Sequence, residues 1–514
     1  MRPRRSFWAA VSILVVMALL VAGCPARQPE ARVGKHIIAA LSTDIVTLDP
    51  HRGNDGPSMT VWNQMYSTLF DLNAETRELI PKLAERWERV DDRTTRLFIR
   101  RGVKFHDGTP LTARDVEFSL KRLVDPATKS PAAFILTMLE DVRTVDDHTV
   151  EIITKEPFAP LLFHLTHRAT SIVPEAVVKA KGEDFARQPV GTGPFKFVEH
   201  VKGDRVELER NPDYWGGAPV PERVTLRIIP EPATQAAEVE AGSLHIASAI
   251  PLVDVPRLRE LADVEVLTMV GWSVTALLFN HRAEPFDDVR VRRAVSYALD
   301  RDAIVRHVEH GLAIPAAQVS SPVVFGHNPN LQPYPHDPAK ARQLLAEAGY
   351  PQGFETTILV WNIERFIRWA EAVQAQLAQV GIDAELNVVE FGAALEMAYR
   401  GEFEIVNMGW GCPTLDSDYN LFALFHSASW GPPGNWGFYQ NPEVDRLIMV
   451  GRTSADMQER ERAYHRVMEL LHQDAAWAFS HHPTLVLAKR AELRDSEISV
   501  SFVYMNLRRA YIQE

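Results

Sequence analysis

Gly102-Val103-Lys104-Phe105-His106-Asp107-Gly108-Thr109-Pro110-Leu111-Thr112-Ala113-Arg114-Asp115-Val116 is the stretch whose reading decides the fold. Its first half reads as a strand running into a turn, with Asp107-Gly108 as the turn chemistry. Thr112, followed by Asp115, is a looser version of the capping box. Val116, Leu120 and Leu123 then give a helix one apolar stripe. His106 reads as a turn or packing residue rather than a ligand.

The same alternation of short strands and helices continues outward in both directions. Arg96 to Arg100, Thr149 to Lys155 and Arg205 to Arg210 alternate like half-buried strands. Asp287 is placed to cap a helix carrying Val291, Ala294, Val295 and Ala298 on one face. Asp337-Pro338 opens another, with Ala341, Leu344, Leu345 and Ala348 buried and Gly349 as its stop. These are core elements of α/β lobes. A chain of 514 residues exceeds the ~250–300 residues at which one core stops growing. Two lobes or three smaller units are therefore expected.

The amino terminus reads as an export signal. Arg2, Arg4 and Arg5 precede the apolar run Phe7 to Val21, which is short for a membrane span. Val21-Ala22-Gly23-Cys24 resembles a bacterial lipobox, which implies cleavage before Cys24 and lipidation of its thiol. Arg4-Arg5-Ser6-Phe7 also resembles a twin-arginine signal, so the export route stays open. Residues 1–23 are then signal peptide and residues 24–34 a tether. Cys412 is the only other cysteine; with Cys24 lipidated, no disulfide forms within the chain, and Cys412 reads as a buried structural thiol.

Charge and motifs exclude several classes. Beyond residue 23 the chain carries 52 basic and 67 acidic residues, a balance of −15 that argues against a nucleic-acid partner. No G-x-S-x-G elbow, Walker loop or H-E-x-x-H motif is present. His164/His167, His307/His310 and His481-His482 lack the further ligands of a metal site. No metal, cofactor or catalytic residue is therefore assigned.

Five blocks, in order, resemble one family. Leu79 to Trp87 with Gly102 to Val116, Pro189-Val190-Gly191-Thr192-Gly193-Pro194-Phe195, Glu209 to Trp215, Phe286 to Ala294, and Asn441 to Asp445 are similar to the family 5 solute-binding proteins of ABC importers, the dipeptide, oligopeptide and nickel receptors. The resemblance implies a type II periplasmic-binding-protein fold: two α/β lobes with an extra subdomain in lobe one. Lobe one takes residues 35–280 and 486–514, with the subdomain at about 76–188, and lobe two takes residues 281–485. Leu277 to Asn280 and Leu485 to Leu487 look like the crossing strands. The expected protein is an extracytoplasmic, lipid-anchored monomer that binds a peptide or peptide-like solute between its lobes and presents it to an ABC permease. An oligosaccharide or other uncharged solute is the alternative, and an extracellular hydrolase is the reading from another class.

In the peptide receptors an Asp after Gly-Trp pairs with the peptide amine, and here Pro413 stands at that position. Asp416 and Asp418 are the next acids, with a turn or helix cap as their other reading. Arg365 is the nearest candidate for a carboxylate partner, and Trp361, Trp410 and Trp436 are candidate stacking platforms. The Gly434-Asn435-Trp436-Gly437 setting disfavours burial of Trp436.

If Cys24 is the lipidated amino terminus, the Cys24→Ser protein will accumulate unprocessed or leave the membrane fraction. Normal processing and retention of that variant in fractionated cells would remove the lipoprotein reading.

Overall fold

The computed structural model describes residues 33–73, 76, 78–431, 434–498 and 505–513. Cys24, the signal segment and most of the expected tether lie outside them. The last tether residues, Val33–Gly34, are already strand and pair with Ile512 and Gln513.

One sheet of twelve strands runs through the molecule. On one side lie Ile382–Val389, Phe354–Trp361, Ile405–Trp410 and Val274–Phe279. On the other lie Ile246–Ala247, His36–Leu41, Arg223–Ile228, Arg205–Arg210 and Phe195–Val201. The strand Trp477–Arg490 joins the two sides. Trp477 to His481 pair with Val274–Phe279, whereas Thr484 to Arg490 pair with Val264–Val270. Both chains therefore pass between lobes near Gly271–Ser273 and His482–Thr484. A Cβ on Gly271 would lie 2.7 Å from the Pro483 carbonyl, so only glycine fits this close crossing.

The expected first crossing at Leu277 to Asn280 lies instead inside the second lobe, between Val406 and Trp477. Every residue of Val274–Phe279 is buried. A mostly apolar run of this kind marks a strand covered on both faces.

The subdomain is a four-stranded antiparallel sheet in the order Ala84–Arg89, Thr94–Ile99, Thr149–Thr154, Leu139–Asp146. Helix Ala113–Val124 packs Val116, Leu120 and Leu123 into its core. Asp115 accepts from the Thr112 amide at 2.9 Å and from its hydroxyl at 3.0 Å, as the capping pattern predicts. The same core reaches Cys412, Leu415 and Tyr419 of the second lobe. Asp337 caps its helix as expected. The helix after Asp287 starts one residue late: Asp288 is its cap, because the Asp287 amide still closes the preceding turn on Ala283.

The motif stretch docks on the Gly191-Thr192-Gly193 loop. His106 Nε2 donates to the Gly193 carbonyl at 3.0 Å, and the Gly191 amide donates to Nδ1 at 3.3 Å. Burial pushes the His106 pKa down to about 4, so the ring is a neutral bridge of fixed tautomer. The loop in turn lies against the end of helix Gly56–Met65, where the Gly193 amide donates to the Met65 carbonyl at 2.8 Å. A Cβ on Gly193 would lie 2.3 Å from the Met65 carbonyl carbon.

Gly193→Ala should consequently cost about 1–3 kcal/mol or more through overpacking. Urea unfolding will show it as a lower midpoint at unchanged slope; an unchanged midpoint would mean that the loop moves freely off the helix end.

Candidate functional site

A cleft of about 540 Å³ opens at the crossing strands. The first lobe contributes Ser248 to Leu252 and Trp272, and the second contributes Glu309, Arg365, Arg368, Trp410 and His481. Arg365 and Arg368 stand in the first turns of helix Glu364–Ala378, which follows strand Phe354–Trp361. Their i,i+3 spacing puts them on neighbouring positions of one face. Solutes of open α/β sheets bind at such carboxyl ends of strands, and the helix N-terminus adds partial positive charge.

Arg365 makes no hydrogen bond or ion pair with any of the described residues; its guanidinium lies 4.6 Å over the Phe366 ring. The side chain is open to solvent, yet it sits in a recess with protein all around it. That surrounding protein lowers its pKa, with Glu309 opposing, but a guanidinium stays charged at neutral pH. Arg368 has a loose partner, Glu364, at 3.8 Å.

Glu309 follows helix Arg301–His307, and its side chain is 14% exposed. His481 Nε2 lies 3.3 Å from Glu309 Oε1. Burial is the largest single influence on Glu309 and pushes its pKa up. The bond from His481 and the charges of His481, Arg365 and Arg368 outweigh it, and the carboxyl is held below its ordinary value.

The aromatic walls depend on glycines. A Cβ on Gly409 would lie 2.6 Å from Phe366, and one on Gly411 would lie 2.7 Å from Trp272 Nε1. Trp410, between them, is half-buried and donates Nε1 to Asn420 at 3.1 Å.

Of the sequence-derived candidates, the cleft brings together Arg365 and Trp410. The other four lie elsewhere. Asp416 caps helix Ser417–Phe425 and accepts from Arg460 Nη2 with both oxygens, at 2.9 and 2.7 Å. Both side chains of that pair are 0% exposed. Asp418 is buried 3.3 Å from His164 Nε2 and 3.3 Å from Arg452 Nε. Burial, the largest influence, would raise its pKa, but Arg452 and His164 hold it low. Neither acid lines the cleft, which corrects the expectation that one of them meets a solute amine. Buried arginines on later helices claim both.

Trp361 is 6% exposed and meets Phe366 and Phe391 edge-on, at 5.1 and 5.0 Å. It lies beneath the cleft wall rather than in it. Trp436 is 3% exposed and packs against Tyr399. The glycines around it, read as looseness, do the opposite. Cβ atoms on Gly434 and Gly437 would lie 2.1 Å from the Ala423 carbonyl and 2.4 Å from the Phe279 carbonyl, so they permit tight packing.

Sequence reading missed Trp272, Glu309, Arg368 and His481 as cleft residues. Glu309 and His481 had drawn attention only inside histidine pairs, and nothing in the chain ties position 309 to position 481 before the sheet does.

The Asp416–Arg460 pair sets a stability test. Asp416→Asn leaves a fully buried guanidinium without its counter-charge and should cost about 3–5 kcal/mol. Denaturant unfolding reads this directly, and a loss under about 1 kcal/mol would mean that water reaches the pair.

Residues 78–432 match the family described as bacterial extracellular solute-binding proteins, family 5 Middle. The glutathione-binding protein GsiB of Escherichia coli (strain K12) is 32% identical over 475 residues, covering 90% of this chain and 91% of that protein. GsiB of Pectobacterium atrosepticum is also 32% identical, with 92% and 94% covered. Among solved structures, the periplasmic binding protein DppA from Helicobacter pylori, in complex with the peptide STSA, superposes with a TM-score of 0.86 at 29% identity, covering 94% of this chain and 99% of that one. The oligopeptide-binding protein AppA from Bacillus subtilis, in complex with a nonapeptide, gives 0.84 at 25% identity, covering 94% and 100%.

Proposed function

The chain belongs to the bacterial extracellular solute-binding proteins of family 5, and from that premise we propose that it captures a small peptide with free carboxylates, of the glutathione class, for an ABC importer. The observation that carries this reading is Arg365, an open guanidinium without a bonded partner among the described residues, inside a cleft of about 540 Å³. That volume suits a small solute. A carboxylate on Arg365 makes a charge-assisted bond in a partly desolvated recess, where such bonds are strongest. Trp272 and Trp410 offer flat apolar faces to the rest of the molecule. A solute touching both walls favours the closed arrangement of the lobes by its differential contacts, and the importer reads that form.

The protein acts as a monomer, held at the membrane through lipidated Cys24, and it binds without turnover. Ser480 does lie 3.0 Å from His481 Nδ1, and His481 meets Glu309. That serine is fully buried, accepts from Trp369 Nε1 at 3.0 Å and is not among the cleft-lining residues, so it has no access to a bound solute.

Calorimetry with glutathione, trialanine and maltotriose tests the reading. Peptide binding without sugar binding is expected, and Arg365→Ala should weaken it about 10–100-fold, the value of one hydrogen bond to a charged group. Sugar binding that Arg365→Ala leaves untouched would assign the tryptophan walls to an uncharged solute instead.

A further inference from the structure

Glu309 and Arg365 face the same cleft with opposite charges, and each acts on the other's protonation. Yet no ion pair or hydrogen bond joins them. Two groups of opposite sign that line one cleft without pairing give it a positive and a negative side. The rest of the site keeps the two sides apart. Trp369 Nε1 can only donate, so it gives its proton to Ser480 Oγ at 3.0 Å. Ser480 Oγ holds His481 Nδ1 at 3.0 Å, and His481 Nε2 faces Glu309 Oε1 at 3.3 Å, where a protonated nitrogen is the favourable match for a carboxylate. The chain of contacts starts in the buried core and ends on the carboxylate. The backbone fixes the other end. The Glu309 amide closes on the Ile304 carbonyl, and its own carbonyl accepts from Leu312 at 2.7 Å. Glu309 Oε2 has no hydrogen-bond partner among the described residues and is free to accept.

We infer that Glu309 and Arg365 together clamp a free α-amino-acid head group, with the solute's ammonium on Glu309 and the carboxylate of the same carbon on Arg365. This rests on the peptide reading above and narrows it. An ordinary peptide carries its ammonium and its carboxylate at opposite ends, so neither end fills both sides. A peptide linked through a side-chain carboxyl keeps both charges on one carbon and does. The clamp also accounts for Pro413 and for the buried partners of Asp416 and Asp418: the amine contact has moved from that loop to Glu309. Arg368, beside the clamp, is placed for a second carboxylate.

Two isomeric dipeptides test this, γ-glutamylalanine and α-glutamylalanine. Their composition and net charge are the same, and only the first has ammonium and carboxylate on one carbon. Calorimetry on the full chain should show the γ-isomer bound about 10–100-fold more tightly, as one charged hydrogen-bonded contact allows. Acetylating its amine should remove that margin. Glu309→Gln, which keeps the size and the bond from His481, should bring the two isomers level, and Glu309→Asp should restore part of the preference. Circular dichroism on each variant checks that the fold is kept. If Glu309 is only a counter-ion for the arginines, Glu309→Gln will instead bind both isomers more tightly, and the clamp is overturned. Equal affinity of the wild-type protein for the two isomers overturns it as well, while leaving the peptide reading in place. If neither isomer, glutathione nor trialanine binds, the peptide reading falls and the clamp with it.

Discussion

The strand Trp477–Arg490 is shared by the two lobes, and the site depends on how its hydrogen bonds are divided. Its first residues pair with Val274–Phe279, and its last with Val264–Val270 and Ile246–Ala247. A backbone ladder cannot be broken in the interior without leaving buried amides unpaired. The lobes are therefore tied at one line, and Gly271 against Pro483 is where the second chain crosses. A hinge motion about that line would open or close the cleft while each lobe keeps its own core. His481 stands on the same strand, so the floor of the cleft is part of the joint.

Charged groups near the cleft fall into two sets with different physics. Asp416 with Arg460, and Asp418 with Arg452 and His164, are enclosed. Removing charges from water is costly, and these groups persist because each meets an opposite charge in close geometry. They hold the segment after Trp410 in shape and bring the subdomain's His164 against the second lobe. Around Tyr419 the contacts are apolar and aromatic, with His167 stacked on its ring at 6.0 Å. Arg365, Arg368 and Glu309 line the cleft instead. Arg365 has no ionic partner among the described residues, Arg368 has Glu364 only at 3.8 Å, and Glu309 meets His481 at 3.3 Å but pairs with neither arginine, which is the arrangement expected where a partner arrives from outside. Rigid enclosed pairs behind an open set of charges lower the ordering cost of binding.

The family's motif residues turn out to be architectural. His106, Gly191 and Gly193 join the subdomain to helix Gly56–Met65 through two ring bonds and one backbone approach. Such a junction tolerates little change in shape, because a neutral ring of fixed tautomer and glycines without Cβ are both required. None of these residues reaches the cleft. A sequence pattern strong enough to identify the family can thus be silent on what the family member binds.

The local chemistry was legible from the chain alone. Turn residues, the Thr112 and Asp337 caps and the alternating strands follow from short-range sterics and periodicity, which act between residues a few positions apart, whereas the two-lobe α/β class was legible only through the resemblance to the family. Arg365 and Trp410 were also legible as cleft candidates, because they lie next to recognisable elements. The tertiary structure alone decided the rest. Asp416 and Trp436 look available in sequence, but Arg460 and the close approach of Gly434 and Gly437 take them into the interior. Glu309 looks like one acid in a histidine-rich turn until the sheet sets His481 beside it. Whether a charge is spent inside the fold or left facing a cleft depends on which distant residue packs against it, and that is a property of the assembled sheet rather than of any window of sequence.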